Sequence, residues 1–179
     1  MEDRIHNDEY KLINSLKNLS LSPPRIISID GVDGVGKSAL ACKIAKELSV
    51  PHIEIDAFVQ NQQGGYIKYI DYDRLGEKIV HEKMSNHTVV VEGICVLQIL
   101  NRLNLTSDVS VYVKVIDVYG FWTHQMLLFP PDKSADEVIS ERKAKRFLLG
   151  HKEDIIRYHY ACRPHENADY ILERRSKKA

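Results

Sequence analysis

Eight consecutive residues, Gly31-Val32-Asp33-Gly34-Val35-Gly36-Lys37-Ser38, carry the clearest chemistry in the chain. They follow a short apolar run, Ile26-Ile27-Ser28-Ile29, and precede a segment with helical apolar spacing. The G-x-x-x-x-G-K-S pattern therefore stands between a strand and a helix, the setting that a phosphate loop needs. Glycines let the backbone curl so that several N–H groups point inward, and the helix N-terminus adds partial positive charge. Lys37 would bring an ammonium to the β and γ phosphates and Ser38 a hydroxyl to magnesium. The nucleotide-contacting set expected from this pattern is Gly31, Asp33, Gly34, Val35, Gly36, Lys37, Ser38 and Ala39. No N-K-x-D string occurs, which argues against a guanine-selective switch protein and leaves phosphoryl transfer to a small molecule as the simplest use.

In open parallel sheets ligands bind beyond the carboxyl ends of the strands, so acids at those ends are the next candidates. Asp56 follows the apolar run 52–55, where a carboxylate facing the γ-phosphate can accept the proton of an attacking hydroxyl. Glu92 closes the run 88–91 and precedes Gly93, a position from which it can hold magnesium directly or through water. Cations are expected opposite these acids. Ser134, with Glu137 three residues later, marks a helix start, and Gly150 marks its stop. Within that helix Arg142 and Arg146 lie one turn apart on one face, suited to neutralise charge on a phosphoryl group in transfer. The segment Gln60-Asn61-Gln62-Gln63-Gly64-Gly65 is the clearest flexible loop and falls where a substrate lid would be.

The elements that must hold these groups alternate short apolar runs with helical periodicity, which predicts an α/β fold: a five-stranded parallel sheet flanked by helices in three layers. The expected strands are residues 25–30, 52–55, 88–92, 108–115 and 168–173. The first helix, 37–48, gathers Leu40, Ala41, Ile44, Ala45 and Leu48 on one face; Tyr72, Leu75, Ile79 and Val80 do the same for the next, and the third spans 94–103. Residues 1–24 read as an N-terminal helical extension with Leu12, Ile13, Leu16 and Leu19 on one side, ending before Ser22-Pro23-Pro24. Residues 25–179 read as one domain whose lid spans about 134–152. Trp122, with Phe121 and Tyr119, is expected in the core. His159, Cys162 and His165 offer only three groups, on no assigned element, and are not read as a zinc site.

At 179 residues, 44% hydrophobic and 28% charged, the chain has the size and composition of a single globular domain. Lys plus Arg and Asp plus Glu number 25 each, so there is no global field to draw in a nucleic acid polymer or a membrane surface. That neutrality joins unlike parts: residues 1–132 hold 13 basic and 17 acidic side chains, and residues 133–179 hold 12 and 8. The first ten residues lack the apolar stretch of a secretory signal, and nothing approaches the ~20 apolar residues of a membrane span. Cys42, Cys95 and Cys162 form no paired motif, which suggests reduced thiols and a cytoplasmic setting. These features are compatible with a homo-oligomer.

The run 29–38, then Asp56-Ala57-Phe58, Tyr72-Asp73 and Val91-Glu92-Gly93-Ile94, resembles in order and spacing the uridine kinase and nicotinamide riboside kinase group. The resemblance implies a P-loop kinase fold over roughly residues 25–173, ATP and Mg2+ as cofactors, and a nucleoside-like acceptor. It assigns Asp56 as general base, Tyr72 and Asp73 to the acceptor ribose, and Glu92 to the magnesium side. The chain departs from the group where Asp56-Ala57-Phe58-Val59 lacks the second acid and the aromatic of the usual motif. The string Asp30-Gly31-Val32-Asp33-Gly34 is also similar to thymidylate kinases, but those carry an Asp-Arg pair where Asp56 is followed by Ala57. An uncharged alcohol therefore fits better than a phosphorylated acceptor. The remaining alternative is an ATP-binding regulatory protein without turnover, against which Asp56 argues.

Overall fold

The computed structural model describes residues 4–19, 25–60, 65–86, 88–145 and 151–176. Strand β2 (Arg25–Asp30) lies inside the sheet and buries all but its first residue, while β4 (Thr88–Glu92) is buried throughout. A strand covered on both faces selects a continuous apolar run over alternation, which is why Ile26 and Ile27 pair with Val89 and Val90, with Ile29 and Val91 beside them, at the centre of the core. With β1 (Ile5–His6), β3 (His52–Glu54), β5 (Val109–Ile116) and β6 (Tyr170–Arg175), the strand order is β1-β6-β5-β2-β4-β3, every pair parallel.

The sheet thus has six strands, one more than the five expected. The extra strand is Ile5–His6, which pairs with β6 through Ile5↔Ile171 and His6↔Leu172. Two residues are too few to show a period of two. The N-terminal segment is accordingly a strand followed by a helix, α1 (Glu9–Asn18), capped by the Asp8 carboxylate and burying Leu12, Ile13 and Leu16. Helix α1 packs on α2 (Lys37–Leu48) and touches β6. A second group of helices is centred on α7 (Lys152–Cys162), which contacts α4 (Val96–Arg102), α5 (Gln125–Leu128) and α6 (Ala135–Ala144).

Several local expectations change. The segment after β3 turns at once into a 3-10 turn, Ile55–Phe58, so Asp56 stands on a turn beyond the strand. In α3 (Tyr72–Asn86) Leu75 and Ile79 are buried, but Val80 is 48% exposed. Helix α6 begins with the Ser134–Glu137 capping box and ends at Ala144; Arg146 and Gly150 lie outside the described residues. Tyr119 and Phe121 are exposed rather than in the core, whereas Trp122 packs partly buried against Tyr112, His159 and His165. His159 is fully engaged, with Nε2 paired to the Tyr112 hydroxyl and Nδ1 to the Ile155 carbonyl. The last described elements are the short α8 (Pro164–Asn167) and β6. Among the described residues no helix is long and apolar enough to cross a membrane, no three metal-ligating side chains converge, and the three cysteines are free.

Candidate active site

Strand β2 delivers the chain to the phosphate loop, and the sheet pairing sets what stands beside it. At Gly31 a Cβ would lie 2.8 Å from the Val113 carbonyl oxygen of β5, so only glycine lets the loop leave the sheet here. Gly36 closes the loop in the left-handed region, φ 86°, as the N-cap of α2. No side chain caps α2 and no acid sits in its first turn, which leaves its leading N–H groups for an anion. Lys37, 8% exposed, folds back so that Nζ donates to the Val32 carbonyl at 3.0 Å. Its ammonium is thus held over the loop by a weak acceptor that phosphate oxygens would replace.

Register brings the acid. Ile29 of β2 pairs with Glu92 of β4, and Glu54 of β3 pairs with Glu92 on its other side. The Ser38 side chain lies close enough to the Glu92 carboxylate to pull its pKa down, which places the two expected magnesium ligands side by side at the head of α2. Burial pushes the Glu92 carboxyl above its usual range; the Ser38 hydroxyl and the Lys37 charge pull it back, while Glu54 and Asp56 add to the rise. A divalent cation would relieve this crowding of negative charge.

Asp56 projects from its turn into a cleft of about 350 Å³ lined by Asp33, Val59, Gly65, Tyr66, Ile94 and His151. The buried Tyr66 hydroxyl donates to Asp56 Oδ1 at 2.5 Å. Burial first, then the Asp56 carboxylate, raise the Tyr66 pKa, so Tyr66 is the donor in this pair. Tyr66 is in turn fixed from α7: its backbone N–H and that of Ile67 both donate to Asp154 Oδ2, at 2.9 and 3.2 Å. Across the cleft His151 Nε2 meets Asp33 Oδ2 at 2.6 Å; this bond lowers the Asp33 pKa and raises that of His151.

Of the other expected site residues, Tyr72 is half-buried with its hydroxyl on the Ile67 carbonyl, 2.9 Å, and its ring under the Arg102 guanidinium at 4.2 Å. Asp73 is exposed in the first turn of α3. Neither lines the Asp56 cleft. Val35 is buried and Asp33, Gly34, Ser38 and Ala39 are exposed around the mouth of the loop. Half-buried Arg142 donates to the Met126 carbonyl at 3.3 Å and borders a second cavity of about 310 Å³, where Val32 and Asp33 of the loop meet Leu127, Leu128, Lys152, Ile155 and Ile156.

Sequence reasoning misses Tyr66, His151 and Asp154, whose roles arise from contacts spanning up to 118 residues. It also passes over Asp30, 3% exposed at the end of β2. One Asp30 oxygen accepts from Gly31 N at 2.7 Å and the other from the Tyr158 hydroxyl of α7, while burial pushes its pKa up to about 6.

No family model matches the chain, and no curated protein matches it. Among solved structures it is similar to a possible uridine kinase from Bacillus stearothermophilus, at 14% identity and a TM-score of 0.54 over 92% of this chain and 96% of that one. It is less similar to a gluconokinase from Sinorhizobium meliloti 1021, with 16% identity, a TM-score of 0.41 and 82% and 95% of the two chains covered. A shikimate kinase from Bacteroides thetaiotaomicron gives 18% identity and a TM-score of 0.36 over 83% and 85%. The first likeness shows a shared fold: the parallel sheet with its flanking helices has the P-loop kinase architecture.

Proposed function

We propose that the chain is an ATP- and magnesium-dependent kinase that phosphorylates a hydroxyl of a small, uncharged, nucleoside-like acceptor. The observation that carries this reading is the Asp56 carboxylate, held by Tyr66 in a cleft that opens onto the phosphate loop. The uncapped α2 N-terminus, Lys37 and the Ser38–Glu92 pair fit a magnesium-bound triphosphate. Bound there, the metal would neutralise phosphate charge. Lys37 would leave the Val32 carbonyl for the phosphate oxygens, and Asp56 would accept the acceptor's hydroxyl proton on one oxygen while the Tyr66 hydroxyl donates to the other. Residues 134–152 would act as a lid, bringing Arg142 and Arg146 toward the transferred group.

The acceptor class follows from charge. Among the described residues the cleft lining contains two carboxylates, one histidine and no lysine or arginine. A phosphorylated or carboxylated acceptor would face Asp33 and Asp56 at short range, which disfavours a thymidylate kinase-like reaction and favours a neutral alcohol. The solved structures that share the fold include a possible uridine kinase. The test is ADP release with a panel of nucleosides, nucleoside monophosphates and simple polyols. Turnover with a nucleoside is expected, and Asp56→Asn should still bind MgATP yet lose about 10²–10⁴ of the rate. An Asp56→Asn variant with full activity, or a wild type that binds ATP and phosphorylates nothing in the panel, overturns the proposal.

A further inference from the structure

The N-terminal segment reaches the phosphate loop through one arginine. Arg174, near the end of β6, donates from Nη1 to the Val35 carbonyl at 2.9 Å and from Nη2 to Glu9 Oε1 at 2.5 Å. Glu9 is the first residue of α1, and its other oxygen takes Lys43 Nζ of α2 at 2.5 Å. A single carboxylate from the N-terminal segment thus sits between a cation on the helix that follows the loop and the guanidinium that touches the loop itself. The fit is close: a Cβ on Gly36 would lie 1.9 Å from Arg174 Nη1, so the guanidinium fills the space beside the loop's last glycine.

Peptide planarity gives this contact a consequence. In a trans peptide the C=O and the N–H point in opposite directions. Pinning the Val35 carbonyl outward on Arg174 therefore aims the Gly36 N–H to the opposite side, into the concavity where a phosphate loop binds its anion. This peptide is followed by a glycine at φ 86°, and its carbonyl accepts from the Arg174 guanidinium. Glu9 matters in turn because an arginine side chain loses much rotamer freedom when held, and a charged partner keeps it on the carbonyl.

We propose that Arg174 is a positioning residue of the phosphate loop and that Glu9 holds it there, so the N-terminal strand and helix set nucleotide affinity from outside the site. The inference rests on the phosphate-loop reading above. The probe is MgATP, with binding to the full-length chain measured by calorimetry and melting temperature recorded for each protein. Arg174→Ala should raise the MgATP Kd about tenfold, the loss of one charge-assisted bond at the loop. Glu9→Gln should raise it by a smaller factor, and adding Glu9→Gln to Arg174→Ala should change nothing further, because Glu9 acts only through the arginine. In turnover the ATP KM should rise while kcat stays within about twofold. A merely structural pair would shift melting and leave the Kd unmoved; that result, or additive effects in the double variant, overturns the inference. A wild type that binds no MgATP at all defeats the phosphate-loop reading instead.

Discussion

Asp30→Asn should make stability less dependent on pH, and the size of the effect can be worked from the burial of one carboxyl. Asp30 is 3% exposed, and burial drives its pKa from 3.8 to about 6 against the opposing pull of the Tyr158 hydroxyl, the Gly31 and Val96 N–H groups and the Lys37 charge. That rise corresponds to about 3 kcal/mol of preference for the protonated form in the native state. The sign follows directly. The folded chain binds this proton more tightly than the unfolded chain does, so the contribution is fully present below the unfolded pKa and is lost as pH rises through about 6. An asparagine carries no charge at any pH, its oxygen can keep the Gly31 N–H, and its amide can donate to the Tyr158 oxygen. Any constant offset from the substitution is independent of pH, so the measurement is the change in the difference. Between about pH 4.5 and about pH 8 the variant should gain about 2 kcal/mol on the wild type, a melting difference that widens by roughly 4–8 °C for a chain of this size. Urea unfolding across that range supplies the assay. Parallel stability profiles for the two proteins would show that Asp30 titrates as it does in water, and the reasoning from burial would fall.

Gly31→Ala should lower stability by about 1–3 kcal/mol and abolish nucleotide binding, because the new Cβ meets the Val113 carbonyl; denaturant unfolding and MgATP calorimetry check both parts. Tyr66→Phe removes the bond that orients Asp56 and should cut kcat about tenfold with the MgATP Kd unchanged, read from steady-state rates and calorimetry. The Asp33–His151 pair is complete only between two titrations: the Asp33 contribution is lost as pH falls through its lowered pKa, and the His151 contribution as pH rises through a pKa raised above 6.5. His151→Gln should therefore destabilise the chain at mildly acidic pH and make little difference above about pH 8, as thermal melts across pH would report.

What the sequence makes legible is whatever one segment settles for itself. The buried runs of β2 and β4, the amphipathic α2 and the Ser134–Glu137 capping box are written in consecutive residues, and Lys37 and Ser38 follow from their place at the head of a helix. The sixth strand is not written this way: Ile5 is 55% exposed and His6 buried, and what makes them a strand is the open edge of β6, more than 160 residues away. Tyr66 is similar. Its position just after the loop at 60–65 marks it as nothing in particular, and it reaches Asp56 because Asp154 of α7 draws in two backbone N–H groups. Tyr72, singled out by its neighbour Asp73, has its hydroxyl occupied by the Ile67 carbonyl. Pair contacts between distant segments have no one-dimensional trace when each residue is ordinary on its own.

Three such contacts converge on the phosphate loop, and all of them come from the stretch 151–176: Tyr158 on Asp30, His151 on Asp33 and Arg174 on the Val35 carbonyl. They differ in how much water reaches them. The Tyr158 bond is buried, and Arg174 is 25% exposed, whereas the Asp33 and His151 side chains are 61% and 38% exposed. A screened pair is worth little and exchanges readily, while a buried one resists exchange because its groups would be left without partners. The loop therefore has a firm base, set by Asp30 and Val35, and a labile contact at its outer lip. That lip faces the cleft, so the Asp33–His151 pair is the contact that an incoming nucleotide and acceptor would displace first. Two arginines of the last 47 residues thus stand on opposite sides of the loop, Arg174 behind it on the Val35 carbonyl and Arg142 beside the cavity at its open side, where His151 meets Asp33.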